Sequence, residues 1–523
     1  MQTGGAMELT PRTILPKESL VKVLLDTNIV IPREDGVETP KNIASLLKLI
    51  NGSDRAKVLI HPASKMDLSN DGNASRRKVV LSKLDTYSEI EQPPTAPSEF
   101  INSLYDSPNS HDRVDGELLY CVKVGVVDFL VTEDRIIIKK AQNLGLEDNV
   151  LTVDEGLGFF SNLLHNRPAP KPPFVQQGRV YSLRNRLHEQ FFDSFREEYA
   201  GFDAWFSKKA RDRLCYYVLE RGHLIALAIL KEENDPILFA DGTMLEGKDF
   251  LKICSLKVSE SSSGSKIIEK LLEIIFNHCM KNKYQETYVT VFPKHSNLIF
   301  VLKRFGFEAK GAINTREEVY LKSFVPDVGN TDPVGYLRKY YPRFRDDVCK
   351  YIVPIKPKFH RELFPDIVPG QRLVDAQDKE ISYYASYGNA IIKIYISTSR
   401  IKKIEPGSVF FFYRSGSAAG ITTMGIVEIS SRFGNMEELV SFCGNRTVYS
   451  IKQLNDMLLS ARSILAVKFW HINTEIPKSI SKYTLRKLKI PIPQSISKLQ
   501  EMDYGKLRGV IHEGSNVDQA KVR

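Results

Sequence analysis

Acidic side chains recur in the first 163 residues at places where they could do hydrolytic chemistry. Asp26 follows the apolar run Lys22–Leu25 directly, in Asp26-Thr27-Asn28, and Asp134 follows Val127–Val131, in Thr132-Glu133-Asp134. Asp67 comes soon after the run Lys57–His61, and Asp115 opens the helical stretch DGELLYCVKVG. Several carboxylates in one pocket repel each other and stay ionised together only beside a cation. Hard oxygen donors suit Mg2+ or Mn2+, and such a metal can activate water for phosphodiester cleavage. A lone strand-end Asp is more often a helix cap or turn former. Repetition at four such places is what points to a site.

A second kind of chemistry is suggested further on. The loop Ser259–Lys266 (SESSSGSK) lies between the strand-like run Leu251–Val258 and the amphipathic stretch Ile267–Lys281. Backbone N–H groups of Ser263, Gly264 and Ser265 at a helix start can receive a pyrophosphate, with Lys266 beside it. The titratable groups His223, Glu232 and Cys254 cannot be ranked by spacing. In the last third, basic and aromatic residues interleave: Tyr413-Arg414, Arg446, Tyr449, Lys468 and Trp470. Arg for phosphate and aromatics for base stacking suit single-stranded nucleic acid. Burial in the core is the stronger expectation for Trp470.

The elements that must position these groups can be read from the whole chain. Its 523 residues suggest three to four domains at roughly 150 residues each, and 42% hydrophobic residues are enough for real cores. Charge is uneven: net −6 over 1–163, +4 over 164–330 and +12 over 331–523. A basic region attracts phosphates. No apolar run reaches the roughly 20 residues of a membrane helix, and the first twenty residues lack a signal-peptide stretch. Six cysteines without C-x-x-C exclude a disulfide scaffold and a cysteine zinc site on spacing. A cytoplasmic address is the simplest expectation. The proline-rich stretch Asn166–Gly178 reads as a linker, as does Ser323–Arg338. The expected division is 20–163, linker 164–178, 179–324, linker 325–344, 345–502 and a fraying tail 503–523. The first part alternates strands and helices, the second is mixed α+β, and the third is mostly β, as in a small barrel.

Three families resemble these parts. LLDTN (Leu24–Asn28), the helix start at Asp115 and FLVTEDRIIIKKAQNLGL (Phe129–Leu146) resemble the PIN-domain nucleases. That resemblance implies a parallel sheet between helices and Mg2+- or Mn2+-dependent cleavage of RNA. It makes Asp26, Asp115 and Asp134 metal ligands, Asp67 the second acid in place of the family's usual Glu, and Thr132 the accompanying hydroxyl. Asp112 is a rival for the third acid. The unit Leu256–Leu272 and SNLIFVLKRFGFEAKG (Ser296–Gly311) resemble the GNAT acetyltransferases. This implies acetyl-CoA held at Leu256, Val258, the 263–266 loop and Asn297. The phosphate loop departs from the family's Gln/Arg-x-x-Gly-x-Gly/Ala, with Lys266 at the second Gly, and Leu302 stands where the family usually has Tyr. IEPGSVFFFY, GITTMGIVE and ILAVKFWHI resemble the PUA-like group with ASCH and EVE domains, which implies RNA recognition through Arg414, Arg446 and Lys468. The leading expectation is thus a metal-dependent ribonuclease carrying an acetyl-CoA-binding domain and a basic RNA-holding domain. Such a fusion suits a toxin-like or stress-response effector, with a protein inhibitor among its partners. The alternative is an N-acetyltransferase acting on an RNA-linked or protein amine, an aminoacyl-tRNA for example, with the flanking domains delivering substrate.

Overall fold

A computed structural model describes residues 20–30, 40–69, 77–78, 81–82, 84–167, 174–246, 249–259, 266–327, 329, 332–367, 386–473 and 479–520. The molecule is multidomain α/β with three main sheets. The first contains β1 (Val21–Leu25), β2 (Ala56–Ile60), β3 (Ser88–Glu89), β4 (Phe129–Val131) and β5 (Val150–Leu151). All its pairings are parallel, in the order β3-β2-β1-β4-β5. Strands buried on both faces read as continuous apolar runs, and VKVLL and FLV are nearly all buried.

The second sheet contains β6 (Val175–Arg179), β7 (Leu214–Glu220), β8 (His223–Glu233), β11 (Phe250–Val258), β12 (Glu286–Val291), β13 (Glu308–Ala312) and β14 (Glu318–Ser323). A small hairpin, β9 (Ile237–Leu238) and β10 (Met244–Leu245), stands apart. The order is β13-β14-β12-β11-β8-β7-β6, and only β11 and β12 run parallel. The helix Ile267–Asn282 covers one face with Leu271, Leu272, Ile275 and Phe276. Short helical turns between Val180 and Lys209 cover part of the other with Phe192, Phe195, Phe202 and Phe206.

The third sheet contains β15 (Lys350–Ile355), β16 (Ile392–Ser397), β17 (Val409–Arg414), β18 (Gly420–Phe433), β19 (Ile464–Ile472), β20 (Ile480–Ser481) and β21 (Ser497–Leu499). Its order is β16-β19-β18-β17-β15-β21, with β20 pairing β18 off that path. The strand path is open among the described residues. Phe410, Phe411 and Phe412 are all buried, because this sheet has apolar clusters on both faces. Trp470 is buried, as expected. Its ring stands 5.1 Å from Phe305 of the second region and 5.3 Å from Tyr341. Among the described residues no helix is long and apolar enough to cross a membrane.

Several boundaries differ from the sequence reading. The helix expected from Asp115 begins at Ser110, because Asn109 caps it and Asp112 returns the bond to the Asn109 N–H. β6 begins inside the proline-rich linker and pairs with β7. The second linker contains a helix, Pro333–Tyr340, capped by Asp332. The tail is helical over Glu501–Ala520, and Tyr504, Leu507 and Ile511 are buried on one face. Their spacing is that of an amphipathic helix.

Candidate active site

In the first sheet the strand order reverses between β1 and β4, which creates a crevice at the carboxyl ends of those strands. Asp26 and Thr132 each follow one of these two strands directly. Thr132 Oγ donates to Asp26 Oδ2 at 2.6 Å, and Asn28 Nδ2 donates to Thr132 Oγ at 3.3 Å. Burial raises the Asp26 pKa, and the nearby Asp134 charge adds to that against the Thr132 and Thr27 hydrogen bonds. Burial, then Asp115, Asp112 and Asp134, raise the Tyr105 hydroxyl pKa, so these three carboxylates share a neighbour. Asp134 also caps the following helix, its Oδ1 accepting from Ile136 N at 2.6 Å. Asp67 lies in the helix Pro62–Ser69, with its side chain outside the described residues. The oxygens are the right kind for Mg2+ or Mn2+. Yet among the described residues no group of three or more His, Cys, Asp and Glu side chains is placed to hold a metal ion. The described acids alone therefore do not complete a metal centre, and the carboxylate of Asp67, the expected second acid, lies outside the described residues.

In the second sheet, β11 and β12 pair from Phe250↔Glu286 to Ile253↔Val289 and then part. Beyond that point β11 stays paired with β8 as far as Val258↔Ala226, and β12 with β14 as far as Val291↔Glu318. The cause is local: the β11–β8 register shifts between Ile253 and Ser255, so Cys254 is a bulged residue that bends the strand. The inner edges, Cys254–Val258 and Thr290–Val291, are left facing a wedge-shaped gap. Leu256 and Val258 lie on this free edge of β11, and Asn297 is exposed in the first turn of the helix Ser296–Arg304.

Polar groups collect beside the gap, on the face opposite the long helix. Glu317, 5% exposed, accepts from Tyr199 Oη at 2.7 Å, Thr290 Oγ at 3.0 Å and Thr315 Oγ at 2.7 Å. His295 Nε2 lies 2.8 Å from Glu198 Oε1, which also takes Lys294 Nζ at 2.7 Å. Burial, then the Glu317 bond and charge, raise the Tyr199 hydroxyl pKa. Arg213 donates to the Cys254 sulfur at 3.2 Å, and burial pushes that thiol's pKa up. Sequence reasoning missed Glu198, Tyr199, His295 and Glu317. Only the position of His295 just past an apolar strand end could have drawn attention to it. Leu302 is wholly buried in the apolar cluster and has no proton to give.

The structure places the remaining candidates differently from expectation. Ser263, Gly264 and Ser265 lie outside the described residues. Lys266 has the left-handed φ of 54° that favours glycine, at the place where the GNAT resemblance puts one. Its ammonium is buried and paired inside the protein: Nζ lies 2.8 Å from Asn445 Oδ1 and 3.3 Å from Asp148 Oδ1. Arg446, expected on a nucleic-acid face, is 1% exposed, and its Nε donates to Asp148 Oδ2 at 2.7 Å. Lys468 Nζ stands 3.6 Å from the same carboxylate. Arg414 is spent on its own hairpin, with Nε and a terminal nitrogen both donating to Ala418 O. For Lys266 and Arg446 the physical cause is shared: Asp148, a buried acid from the first region, draws both into the interior, whereas Lys468 keeps 21% of its side chain exposed beside the same acid.

No family model matches the chain, and no curated protein matches it. Similar solved structures include the ASCH protein from Zymomonas mobilis, 14% identical, covering 30% of this chain and 92% of that one, with a TM-score of 0.22. They also include a PaiA N-acetyltransferase from Thermoplasma acidophilum in complex with coenzyme A, 15% identical, covering 29% of this chain and 99% of that one, at a TM-score of 0.22. Arabidopsis thaliana NAA60, in complex with a bisubstrate analogue, is 16% identical and covers 28% of this chain and 95% of that one, again at 0.22.

Proposed function

We propose that the protein transfers an acetyl group from acetyl-CoA to a primary amine at the gap in the second sheet. The observation that carries this is the parting of β11 and β12 after Ile253 and Val289. Over Cys254–Val258 β11 pairs with β8 alone, so alternate residues turn main-chain N–H and C=O groups toward the gap, and backbone polar groups require partners. The amide-bearing pantetheine arm of the donor supplies them as an added strand would. His295 is the proton acceptor on this reading. With Nε2–H donating to Glu198, Nδ1 is left free to accept. The amine nitrogen bonds to the thioester carbonyl carbon, its proton passes to His295, and the C–S bond breaks. The departing thiolate takes its proton from water on this reading, because the Tyr199 hydroxyl is committed to Glu317. Lys266 plays no part in holding the phosphates, because its ammonium is committed to Asp148 and Asn445.

The test uses radiolabelled acetyl-CoA with a panel of amines: polyamines, peptide N-termini and aminoacyl-tRNA. Labelled product should form, and His295→Ala should lose about 10²–10⁴-fold in turnover while still binding CoA in calorimetry. A protein that binds no acetyl-CoA would remove this reading.

A second activity is proposed for the first region, read as PIN-like: hydrolysis of RNA phosphodiesters at the crevice holding Asp26, Thr132, Asp134 and Asp115, with a PUA-like third region holding the RNA. What favours it is the meeting of Asp26 and Thr132 at the switch point, beside the Asp134 charge. RNA would be incubated with Mg2+ or Mn2+, beside EDTA and Asp26→Asn controls. Cleavage lost in both controls supports the assignment, and cleavage unchanged by Asp26→Asn overturns it.

A further inference from the structure

Glu317, immediately before β14, is a buried carboxylate that takes no part in either reaction above. Its three partners are all hydroxyls. Oε1 accepts from Tyr199 Oη at 2.7 Å and Thr290 Oγ at 3.0 Å, and Oε2 accepts from Thr315 Oγ at 2.7 Å. A charge withdrawn from water requires such partners. Here they come from three segments: the turns laid over the sheet, the strand β12 and the turn before β14.

Two of those segments lead to His295. Thr290 lies near the end of β12, where its pairing with β14 runs out at Val291↔Glu318. The turn that follows is closed by His295 N donating to Phe292 O at 3.0 Å. Tyr199 reaches the same turn from the other side, its ring 5.7 Å from the ring of Phe292. Glu198, the residue next to Tyr199, takes His295 Nε2 at 2.8 Å.

Tyr199 is thus held at every point. Glu317 binds its hydroxyl, Phe292 packs on its ring, its N–H donates to Phe195 O at 2.9 Å, and its C=O accepts from Phe202 N at 3.1 Å. Fixing Tyr199 fixes the planar peptide that it shares with Glu198. Glu198 needs that support, because Lys294, 63% exposed, competes for the same carboxylate oxygen at 2.7 Å. A catalytic base must be held within about 0.5 Å of its working geometry by packing and by hydrogen bonds from groups that do not react.

We propose that Glu317 is a positioning residue for His295, acting through Tyr199 and Glu198. It holds Glu198 where the carboxylate keeps His295 in the Nε2–H form, with Nδ1 left to accept the proton of the amine. Glu317 itself touches neither acetyl-CoA nor the amine. This role in turnover rests on the acyl-transfer reading above, whereas the state of the His295 ring is measurable apart from it.

The experiment uses the full chain as wild type, Tyr199→Phe, Glu317→Met and the two together, each also in a His295→Ala background, with melting curves to confirm folding. Tyr199→Phe removes one hydroxyl and leaves the ring on Phe292, so it serves even where Glu317→Met does not fold. Nitrogen NMR of the histidine-labelled protein reads the His295 tautomer, its signals identified by their loss in His295→Ala. The wild type should show the Nε2–H form, and both single variants a mixture of tautomers. With radiolabelled acetyl-CoA and the amine panel, each single variant should lose about 10–100-fold in kcat at unchanged CoA affinity. The double variant should lose no more than the worse single one, as members of one chain of contacts do. Neither change should lower turnover further once His295 is replaced, whereas a merely structural role would lower it in that background too. An unchanged tautomer in both variants, or losses that add in full to that of His295→Ala, overturns the proposal. A wild type that forms no acetylated product removes acyl transfer as the reading, and the tautomer comparison then decides by itself whether Glu317 positions His295.

Discussion

Arg446 and Asp148, 298 residues apart in the chain, meet with Nε 2.7 Å from Oδ2, both almost wholly buried. Around them Lys266 and Lys468 reach the same carboxylate, Arg446 donates to Ile392 O at 2.6 Å, and Asn445 N donates to Asp148 O at 2.9 Å. Even Gly444 belongs to this contact, since a Cβ there would lie 2.7 Å from Asp148 O. One carboxylate therefore joins all three regions, and the first prediction concerns its removal. Asp148→Asn leaves Arg446 buried with only the longer Glu269 contact, at 3.6 Å, as counter-charge, and breaking a buried pair typically costs about 3–5 kcal/mol. Burial alone would raise the Asp148 pKa, but Arg446, Lys266 and Lys468 outweigh it and hold the carboxyl well below its usual range. A depressed acid stabilises the fold above its unfolded value, about 3.9, and that stability is lost as pH falls through the folded value. Denaturant titrations should show the gap between wild type and Asp148→Asn wide at pH 7 and shrinking below pH 4.

Lys266 separates a phosphate-binding role from a structural one. Lys266→Met should leave CoA affinity within about 2-fold, because the ammonium faces Asn445 and Asp148. It should lower stability by about 1–3 kcal/mol, the usual cost of leaving buried acceptors unpaired. Calorimetry with CoA and thermal melts on one preparation would show both. A large loss of CoA affinity at unchanged stability would contradict this placement.

Gly306 marks a close approach between regions. Its φ is 85°, and a Cβ there would stand 2.3 Å from Arg338 O and 2.8 Å from Lys339 O. Both obstacles are backbone, so neither swings aside. Gly306→Ala should destabilise by about 2–4 kcal/mol, combining left-handed strain with overpacking. Reduced chevron or equilibrium midpoints would show it, and a neutral result would mean that the Pro333–Tyr340 helix can shift.

Asp128 carries a stability penalty of the opposite sign to Asp148. Burial pushes its pKa up to about 6, against the hydrogen bond from Lys22 N at 2.8 Å, and the Glu437 charge adds to the rise. A raised acid favours the fold while protonated, so this contribution is present below about pH 4 and lost as pH rises through 6. Asp128→Asn keeps an acceptor for Lys22 N and removes the charge. It should be more stable than wild type at pH 7 by about 1–3 kcal/mol, with the gain vanishing near pH 4.

The chain by itself determined its local elements and the order of their types. Continuous apolar runs such as VKVLL and FLV become buried parallel strands. The helix Ile267–Asn282 and the burial of Trp470 follow from periodicity and size. Asp26, Thr132 and Asp134 were legible as neighbours because strand ends in a parallel sheet lie side by side. The tertiary structure alone decided where long-range charges meet. Nothing near Asp148 in the sequence announces that Lys266, Arg446 and Lys468 will surround it, because their spacing of 118 to 320 residues follows no local rule. The same holds for His295 with Glu198 and for Tyr199 with Glu317: each pair forms only when the turns before β7 fold over the ends of β12 and β14. Side-chain type sets what a residue can bind. Burial against a distant segment decides what it does bind, because a charge withdrawn from water must find its partner inside.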